Sequence, residues 1–449
     1  MKSRDDLGDK ASAVVGVLLS ALAVLLVAAG LLSAAGTAAG GWPWLNRGAE
    51  HKELPPEVTT EQNWLASHVG GRDLVVVDAR PSEAYGRGHI PTAISIPPGE
   101  LPMPPDLSGA LAERGLSGAE RIVCYGADAY SSDAATLFWM LELAGAGRAS
   151  VLDGGLAAWR GAGRNTTAER AALPETTWEP EPRPRLFADT DYVEAHYGET
   201  GYEIVDARGR DAWARSLPEG TEGGRVGHIP HSLPFDFRTL LGADGFFLPV
   251  EVTHEILAEL GPRQSTVVDL ADEFIVHGDG TTGEGALGYF LMRRAGVGNV
   301  VYYPEGWLGW SADESLPVVR LIMAEELMDR LDRERRLLRP DGPPKEFVLF
   351  DVRHISAYDG GRGHIPGAVS LSSSQFADSL EVYLGRYWPN IDRAEAPIVT
   401  YCYGEHCIRS RHTSTYSARA GFLKVERLFG GLSEWRGVGG DVAHTPPSE

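Results

Sequence analysis

Short apolar runs alternate with helical patterns along most of this chain. Examples are the runs at Leu74–Asp78, Arg121–Tyr125 and Pro397–Tyr401, each followed by a stretch in which apolar residues recur at helical spacing. Strands that are apolar on both faces are typical of parallel sheets covered by helices on both sides. The pattern therefore predicts an α/β fold built from small parallel sheets.

The same order of elements occurs three times. Each repeat begins with an apolar strand that ends in Asp-x-Arg, at Leu74–Arg80, Glu203–Arg208 and Phe347–Arg353. A loop ending in Gly-His-Ile-Pro follows, and its histidines are His89, His228 and His364. A second strand, a loop and a helix come next, and then a third strand with a glycine turn into a helix that carries tryptophan. Repeats of this length indicate compact domains rather than solenoid units.

The repeats predict three domains behind an apolar amino-terminal segment. The predicted parts are a tail (1–12), a transmembrane segment (13–39), a linker (40–56), the first repeat (57–165), a Pro/Glu-rich linker (166–186), the second repeat (187–316), the third repeat (317–442) and a tail (443–449).

The apolar segment Ala13–Ala39 is long enough, as a helix, to span a hydrocarbon core of roughly 30 Å. Lys2, Arg4 and Lys10 precede it, which favours an amino terminus inside and the repeats outside. We therefore expect a single-pass cell-membrane protein with extracytoplasmic domains. Two alternatives remain open: a cleaved signal peptide, which would leave a secreted or periplasmic protein, and a buried helix.

Charge and cysteine content exclude several classes of protein. The chain has 41 Lys+Arg against 62 Asp+Glu, a net charge of −21, so we expect no nucleic-acid partner. Its three cysteines, Cys124, Cys402 and Cys407, are too few for a disulfide framework or a four-thiolate zinc site. Any cysteine chemistry must come from individual thiols.

Two motifs, in this order, resemble the signatures of the rhodanese superfamily. They are the Asp-x-Arg strand followed by Gly-His-Ile-Pro-x-Ala, complete at Gly363–Ala368, and the Gly-Gly-x-x-x-Trp turn, which the second repeat carries as Glu305-Gly306. The resemblance covers nearly all of 57–442. It implies three tandem rhodanese-like domains, each a small parallel sheet flanked by helices, with sulfurtransferase activity. The Asp-x-Arg and histidine motifs are expected to be structural.

In rhodaneses the nucleophilic cysteine is the first residue after the second strand, where a loop leads into a helix. Cys402 has this position in the third repeat, and it precedes Gly430 by as many residues as Gly126 precedes Gly154. Gly126 and Gly278 occupy the position in the other two repeats, which are therefore predicted to be inactive. Cys124 lies within a strand and is predicted to be buried and inert.

The loop after Cys402 has the form Cys-x-Gly-x-x-Cys-x-x-Ser, similar to a rhodanese subgroup often found in membrane-associated proteins. We expect Cys402 to be the nucleophile and Arg409 to bind an anionic donor or leaving group. The other predicted substrate-binding residues, which contribute mainly backbone amides, are Tyr403, Gly404, Glu405, His406, Ile408 and Ser410.

Cys407 is open to three interpretations. It is a resolving thiol for Cys402, a buried loop residue, or a metal ligand together with Cys402, His406 and His412. The spacing matches no common zinc pattern, so we expect no metal and no cofactor.

The expected activity moves sulfane sulfur from thiosulfate, polysulfide or a protein persulfide to a thiol or cyanide, through a persulfide on Cys402. A rival hypothesis is a non-catalytic protein that senses redox state or binds a partner through the Cys402/Cys407 pair. A phosphatase is disfavoured because the interval from Cys402 to Arg409 is one residue too long and no general-acid Asp is evident. The expected partners are a small sulfur-containing anion or protein persulfide, a thiol acceptor or reductant, and the membrane.

Overall fold

Three parallel sheets, one in each repeat, organise the computed structural model. It describes residues 58–214, 225–258, 272–337, 343–358, 362–404 and 407–444, which all belong to one compact unit. The predicted α/β fold with three parallel sheets flanked by helices is confirmed. Within these ranges no helix is long and apolar enough to cross a membrane, and the predicted anchor Ala13–Ala39 lies outside them.

The first repeat contains a five-stranded sheet of order β1-β5-β4-β2-β3. Its strands are β1 (Thr59–Thr60), β2 (Leu74–Asp78), β3 (Ile94–Ser95), β4 (Arg121–Tyr125) and β5 (Ala149–Leu152). Its helices are α1 (Gln62–His68), α2 (Ser82–Gly86), α3 (Leu107–Glu113), α4 (Ser132–Leu143) and α5 (Gly155–Gly161). Buried aliphatic residues of β2, β4 and β5 pack on helices at both faces, which is why these strands lack an apolar/polar alternation.

The second repeat has a four-stranded sheet of order β7-β6-β8-β9. Its strands are β6 (Tyr202–Asp206), β7 (Leu233–Pro234), β8 (Glu273–His277) and β9 (Val300–Tyr303). Its helices are α6 (Thr190–His196), α7 (Gly209–Ala214), α8 (Val250–Ala258), α9 (Glu284–Arg294) and α10 (Gly306–Ala312). A parallel bridge between Phe187 and Tyr302 stands where β1 stands in the first repeat.

The third repeat restores five strands, in the order β10-β14-β13-β11-β12. Its strands are β10 (Val318–Ile322), β11 (Val348–Asp351), β12 (Val369–Ser370), β13 (Ile398–Tyr401) and β14 (Lys424–Leu428). Its helices are α11 (Ala324–Leu337), α12 (Ile355–Tyr358), α13 (Phe376–Tyr387), α14 (Ile408–Arg419) and α15 (Gly431–Gly437). Short 3₁₀ turns lie at Pro98–Glu100, Pro184–Leu186 and Phe237–Leu240.

A buried ion pair accounts for the Asp-x-Arg motif. The Nη2 atom of Arg80 donates to Asp78 Oδ2 at 2.6 Å and to the carbonyl of Gly88 at 2.9 Å. The same contacts join Arg208 to Asp206 and Gly227, and Arg353 to Asp351 and Gly363. Each arginine therefore ties the end of its strand to the glycine of Gly-His-Ile-Pro, so the two halves of the motif form one structural device.

The histidines of Gly-His-Ile-Pro are structural, as the sequence predicts. Their rings stack on an aromatic residue of the preceding helix, with centroids 3.7 to 3.9 Å apart, in the pairs His89–Tyr85, His228–Trp213 and His364–Tyr358. Their backbones form antiparallel bridges to the segment after each repeat, at Thr167, Val319 and Ala443. These histidines therefore tie each loop to the preceding helix and to the segment that follows the repeat.

The three repeats are joined by packed surfaces. One hydrophobic cluster combines residues of the first and second repeats, and a second cluster combines residues of the second and third. The linker 166–186 lies along the first repeat, since the amides of Thr176, Glu179 and Arg183 donate to carbonyls of that repeat at 2.7 to 3.1 Å. The described repeats are therefore held against each other rather than tethered loosely.

Candidate active site

Cys402 follows β13 directly, at the carboxyl end of the third sheet. Its carbonyl accepts a hydrogen bond from the amide of Leu432 at 3.0 Å. The carbonyls of Gly126 and Gly278 accept the same bond from Leu156 and Trp307, at 3.1 and 2.9 Å. The three positions are therefore equivalent in space, and only the third repeat has a side chain there.

A close backbone contact explains the second glycine of the glycine turn. A Cβ on Gly431 would lie 2.5 Å from the Cys402 carbonyl oxygen, and Gly431 has a φ of +56°. Gly155 and Gly306 make the corresponding approach in the other repeats. The first position of the turn is less restricted, because Glu305 adopts ordinary right-handed helical angles there.

The loops of the first two repeats leave no room for a nucleophile. A Cβ built on Gly126 would lie 2.3 Å from Ser131 Oγ, and one built on Gly278 would lie 2.8 Å from the amide nitrogen of Gly285. A cysteine at either position would require the loop to move. The difference between the repeats therefore includes the shape of the loop as well as the missing thiol.

Cys402 and Cys407 form a disulfide, with their Cα atoms 6.2 Å apart. Cys402 is buried against the hydrophobic cluster shared with the second repeat, and Cys407 is half-buried and caps α14. The amide of Cys407 donates to the Gly404 carbonyl at 3.2 Å, which closes the loop. Both sulfurs thus lie at the amino end of a helix, where the helix dipole favours negative charge.

The predicted anion-binding residues lie at different depths. Arg409 is exposed in the first turn of α14, and Ile408 is half-buried beside it. Ser410 is buried, and its hydroxyl donates to the Cys407 carbonyl at 3.1 Å. Tyr403 and Gly404 are half-buried, whereas Glu405 and His406 lie outside the described residues.

Two arginines that the sequence reasoning missed stack on Tyr403. The guanidinium carbons of Arg353 and Arg362 lie 5.3 and 5.4 Å from the centroid of its ring. Arg353 is fully buried by its pair with Asp351, but Arg362 is exposed. The only sequence signal for Arg362 is its position directly before Gly363-His364, part of a motif that the sequence predicts to be structural.

A second missed group is a cluster of basic side chains beneath the loop. Arg411 and Arg427 are buried, and His412, which is exposed, lies near His231 of the second repeat. Burial, and next the charge of Arg411, lowers the pKa of Arg427 to about 10 and also lowers the pKa of His412. Glu203 of the second repeat neutralises Arg411 through a 2.8 Å ion pair.

Cys124 is fully buried in β4, and burial raises the pKa of its thiol to about 12. Its sulfur lies 3.4 Å from the carbonyl of Ser150 in the neighbouring strand. A thiol that stays protonated and has no access to solvent is a poor nucleophile. The prediction that Cys124 is inert is consistent with this environment.

Among the described side chains, no group of three or more His, Cys, Asp or Glu residues could hold a metal ion. Within the suggested set, Cys402 and Cys407 are bonded to each other, and His406 lies outside the described residues. The geometry of the described residues therefore gives no support to the interpretation of Cys407 as a metal ligand.

The fold and the site define a class of protein with tandem α/β domains. Each domain has a loop at the carboxyl end of its second strand, and in one domain this loop carries a cysteine. The sequence profile of the rhodanese-like domain matches residues 61–162, 189–313 and 323–437. The chain belongs to the rhodanese-like domain family, as the resemblance of its motifs implied.

Curated relatives extend the comparison. The chain is 30% identical to the probable 3-mercaptopyruvate sulfurtransferase of Pseudomonas aeruginosa, over 57% of this chain and 95% of that protein. It is 27% identical to the 3-mercaptopyruvate sulfurtransferase of Escherichia coli K12, over 57% of this chain and 95% of that protein. A crystal structure of the anaerobic ergothioneine biosynthesis enzyme from Chlorobium limicola aligns with a TM-score of 0.52 and 20% identity, over 61% of this chain and 72% of that one, a likeness of fold.

Proposed function

We propose that this protein is a sulfurtransferase of the thiosulfate and 3-mercaptopyruvate type, with its chemistry confined to Cys402 of the third repeat. The observation that carries the proposal is the position of Cys402, where the other two repeats have glycine in loops without room for a side chain. The names of the curated relatives support sulfur transfer as the class of reaction.

The reduced site supports one chemical cycle. The Cys402 thiolate attacks the outer sulfur of thiosulfate, the S–S bond of the donor breaks, and sulfite leaves with the bonding electron pair. The new persulfide anion lies against the loop amides and the amino end of α14, which stabilise it. An acceptor thiolate then takes the outer sulfur and regenerates the Cys402 thiolate.

Arg409 and the loop have binding roles in this proposal. Arg409 is exposed beside the loop and makes no ion pair with a described residue, so its guanidinium is available to an anionic donor. The amides of Tyr403, Gly404 and Ile408 belong to the loop that would bind the sulfur anion, and Ser410 donates to the Cys407 carbonyl at the start of the helix. Glu405 and His406 are the remaining residues predicted to bind substrate.

The disulfide supports a role for Cys407 as a resolving thiol. When the Cys407 thiolate attacks the inner sulfur of the Cys402 persulfide, the Cys402–Cys407 bond forms and hydrosulfide leaves. A dithiol reductant then transfers two electrons and two protons to restore both thiols. The Cys402–Cys407 bond present in the structure is the bond that this step would form, which supports the resolving role.

Persulfide mapping tests the proposal. The full chain is reduced, freed of reductant, and incubated separately with thiosulfate, polysulfide and 3-mercaptopyruvate, and its peptides are then analysed by mass spectrometry. We expect an added mass of about 32 Da, one sulfur atom, on the peptide that contains Cys402. Cys407→Ser should raise the yield of persulfide, because the resolving step is lost.

Two variants are matched in this experiment. Cys402→Ser should abolish both the label and the transfer to cyanide, whereas Cys124→Ser should leave both unchanged because Cys124 is buried and protonated. Label on Cys124, or full transfer by Cys402→Ser, would refute the assignment.

The disulfide also favours a second candidate function, a redox sensor. In that case the pair cycles between dithiol and disulfide without carrying sulfur. Titration in glutathione buffers, followed by exposure to each donor, separates the two functions. A sensor changes its thiol content with the buffer but gains no persulfide and releases no sulfide.

Membrane attachment and an extracytoplasmic location form the remaining part of the proposal. They rest on the apolar segment Ala13–Ala39 and on the lysines and arginine before it. Retention of the full chain in membranes at alkaline pH, and digestion of its repeats by protease added to intact cells, are the expected results. Release at alkaline pH would exclude the anchor, and protection in intact cells would exclude the location.

A further inference from the structure

Arg427 is a buried cation beneath the reactive loop. It lies on β14 and is nine-tenths buried. Its Nη2 atom donates to the Ser410 hydroxyl at 3.3 Å, and Ser410 donates onward to the Cys407 carbonyl. The guanidinium is therefore connected through one side chain to the peptide that carries the second sulfur of the disulfide.

The charge of Arg427 is not neutralised by any described residue. It takes part in no ion pair there, and its Nε atom is buried without a hydrogen-bond partner. An unpaired buried guanidinium is costly, so its presence calls for an anion that the oxidised site does not contain.

Only the repeat with the cysteine has this cation. Arg427 pairs with Thr400 in the parallel register of β13 and β14. The corresponding strand positions pair Cys124 with Val151 in the first repeat, and Val276 with Tyr302 in the second. The two repeats with glycine at the nucleophile position thus have an uncharged side chain where the third has arginine.

Arg427 and Cys402 share one face of the third sheet. Cys402, Ile398 and Val425 pack in the same cluster, and side chains two positions apart on a strand point to the same face. Thr400 lies between them on this face, and its hydroxyl is also buried without a partner. The Thr400 hydroxyl and the Arg427 Nε atom are therefore both buried without a hydrogen-bond partner on the face of the sheet that carries Cys402.

The other charged groups near this site leave a positive balance. Arg411 is neutralised by Glu203, and Glu434 lies at the glycine turn. The other charged or titratable groups on the packed elements include Arg409, His412 and Arg419 on α14, His228 and His231 from the second repeat, and Arg353 and Arg362 around Tyr403. Burial lowers the pKa of all three histidines, so they are neutral at pH 7.

We propose that Arg427 is a positioning residue that holds Ser410 at the start of α14 and supplies the countercharge for the thiolate of Cys402 and for the persulfide anion formed on it. The thiolate part stands on the geometry alone, and the persulfide part rests on the proposed function. When the disulfide is reduced, the new negative charge on Cys402 compensates the guanidinium. Because the thiolate and the buried guanidinium stabilise each other, the charged form of Cys402 is favoured and its pKa is lowered.

The pKa of Cys402 in the full chain tests this proposal. The protein is reduced with a phosphine and desalted without oxygen, and the rate of alkylation by iodoacetamide is followed from pH 5 to 10 on the Cys402 peptide alone. We expect a pKa at least about one unit below the ordinary cysteine value of about 8.5, that is, about tenfold more thiolate at neutral pH. An ordinary or raised pKa in the natural protein overturns the proposal without any variant.

Variants separate charge from packing. Arg427→Met should raise the pKa of Cys402 by about one unit and reduce alkylation at pH 7 about tenfold, and Arg427→Lys should restore much of the difference. The matched control is Arg320→Met. Arg320 pairs with Glu426, which precedes Arg427 on β14 and points to the opposite face of the sheet, so this substitution should leave the pKa of Cys402 unchanged. A folded Arg427→Met protein with the pKa of the natural protein refutes the role of Arg427.

This measurement does not depend on sulfur transfer. If Cys402 has a low pKa that Arg427 controls but no donor forms a persulfide, the proposed function fails and the thiolate role of Arg427 stands. If persulfide forms normally and Arg427→Met alters neither the pKa nor the yield, the proposed function stands and the role of Arg427 fails.

Discussion

At the scale of single residues, the site depends on residues that do not react themselves but shape the loop around Cys402. Gly431 allows the turn to approach Cys402, and Ser410 holds the Cys407 carbonyl. The sequence alone predicted that Cys402 directly follows a strand, because the apolar run before it and the cysteine itself can both be read from the sequence. It did not reveal Arg427, since an arginine in an apolar strand gives no sign of which face it occupies.

Gly431→Ala should destabilise the third repeat. The new methyl group would meet the Cys402 carbonyl oxygen at 2.5 Å, and the residue would have to keep a φ of +56°. We expect a loss of about 1–3 kcal/mol in the free energy of unfolding, measured in urea. Gly437→Ala is the control in the same helix: no atom lies within 4 Å of its added Cβ, so it should be neutral or slightly stabilising. Equal effects of the two substitutions would contradict the contact.

Buried histidines should make the protein sensitive to acid. Burial, and next the charge of Arg411, lowers the pKa of His231 from 6.5 to about 2. The unfolded chain therefore binds a proton below pH 6.5 that the folded chain does not bind, and stability falls as the pH drops below that value. Each pH unit costs about 1.4 kcal/mol for this one group.

His231→Asn tests the effect, because asparagine tolerates the φ of +68° that His231 adopts. Between pH 7 and 5.5 the variant should lose about 1.4 kcal/mol less stability than the natural protein. Unfolding in urea at both pH values gives the comparison. The same loss in both proteins would show that His231 does not titrate in this way.

At the scale of elements, α14 connects the reactive loop to the second repeat. Its buried face is polar: Thr413, Ser414 and Ser417 donate to carbonyls of their own helix, and Ser410 donates to the carbonyl of Cys407, just before the helix. Arg411 crosses to Glu203 and to the carbonyl of His231. The sequence predicted a helix here but not its attachment, because a pattern of serines and arginines is equally typical of an exposed helix.

Glu203→Gln should weaken that attachment. The substitution leaves Arg411 buried without a neutralising charge, and we expect a loss of about 3 kcal/mol in the free energy of unfolding. Glu199→Gln is the matched control, because its pair with Arg419 joins the same two repeats at the surface and contributes at most about 1 kcal/mol. Urea denaturation of both variants decides the matter, and a smaller effect for Glu203→Gln than for Glu199→Gln would contradict it.

At the scale of the whole molecule, the repeats share their cores. Phe138 of α4 meets Phe290 of α9 edge to face at 5.3 Å, and Glu142 accepts hydrogen bonds from Tyr289 and Arg293 across the same boundary. The first and second repeats, which have glycine at the position of Cys402, therefore contribute to the stability of the whole molecule. The second of them also packs against the helix that begins at the reactive loop.

Hydrogen exchange should show the first two repeats opening together. Because one hydrophobic cluster contains residues of both, amides of α4 and α9 should be protected to the same degree. Glu142→Gln leaves Arg293 unpaired and should raise the exchange rates of both helices. Glu83→Gln, which removes only an exposed pair with Arg87, should change neither. Faster exchange of one helix alone would indicate independent repeats.

The sequence by itself determined the α/β class, the three repeats, the family and the difference between one cysteine loop and two glycine loops. These follow from strand periodicity and from motifs in which neighbours along the chain act together, as Asp78, Arg80 and Gly88 do. Only the tertiary structure decided which distant residues meet: Arg427 beneath the loop, Arg362 on Tyr403, and Glu203 on α14. Such contacts depend on the face of the sheet to which each side chain points and on how the repeats pack against each other. Neither property can be read from the residues next to a position in the sequence.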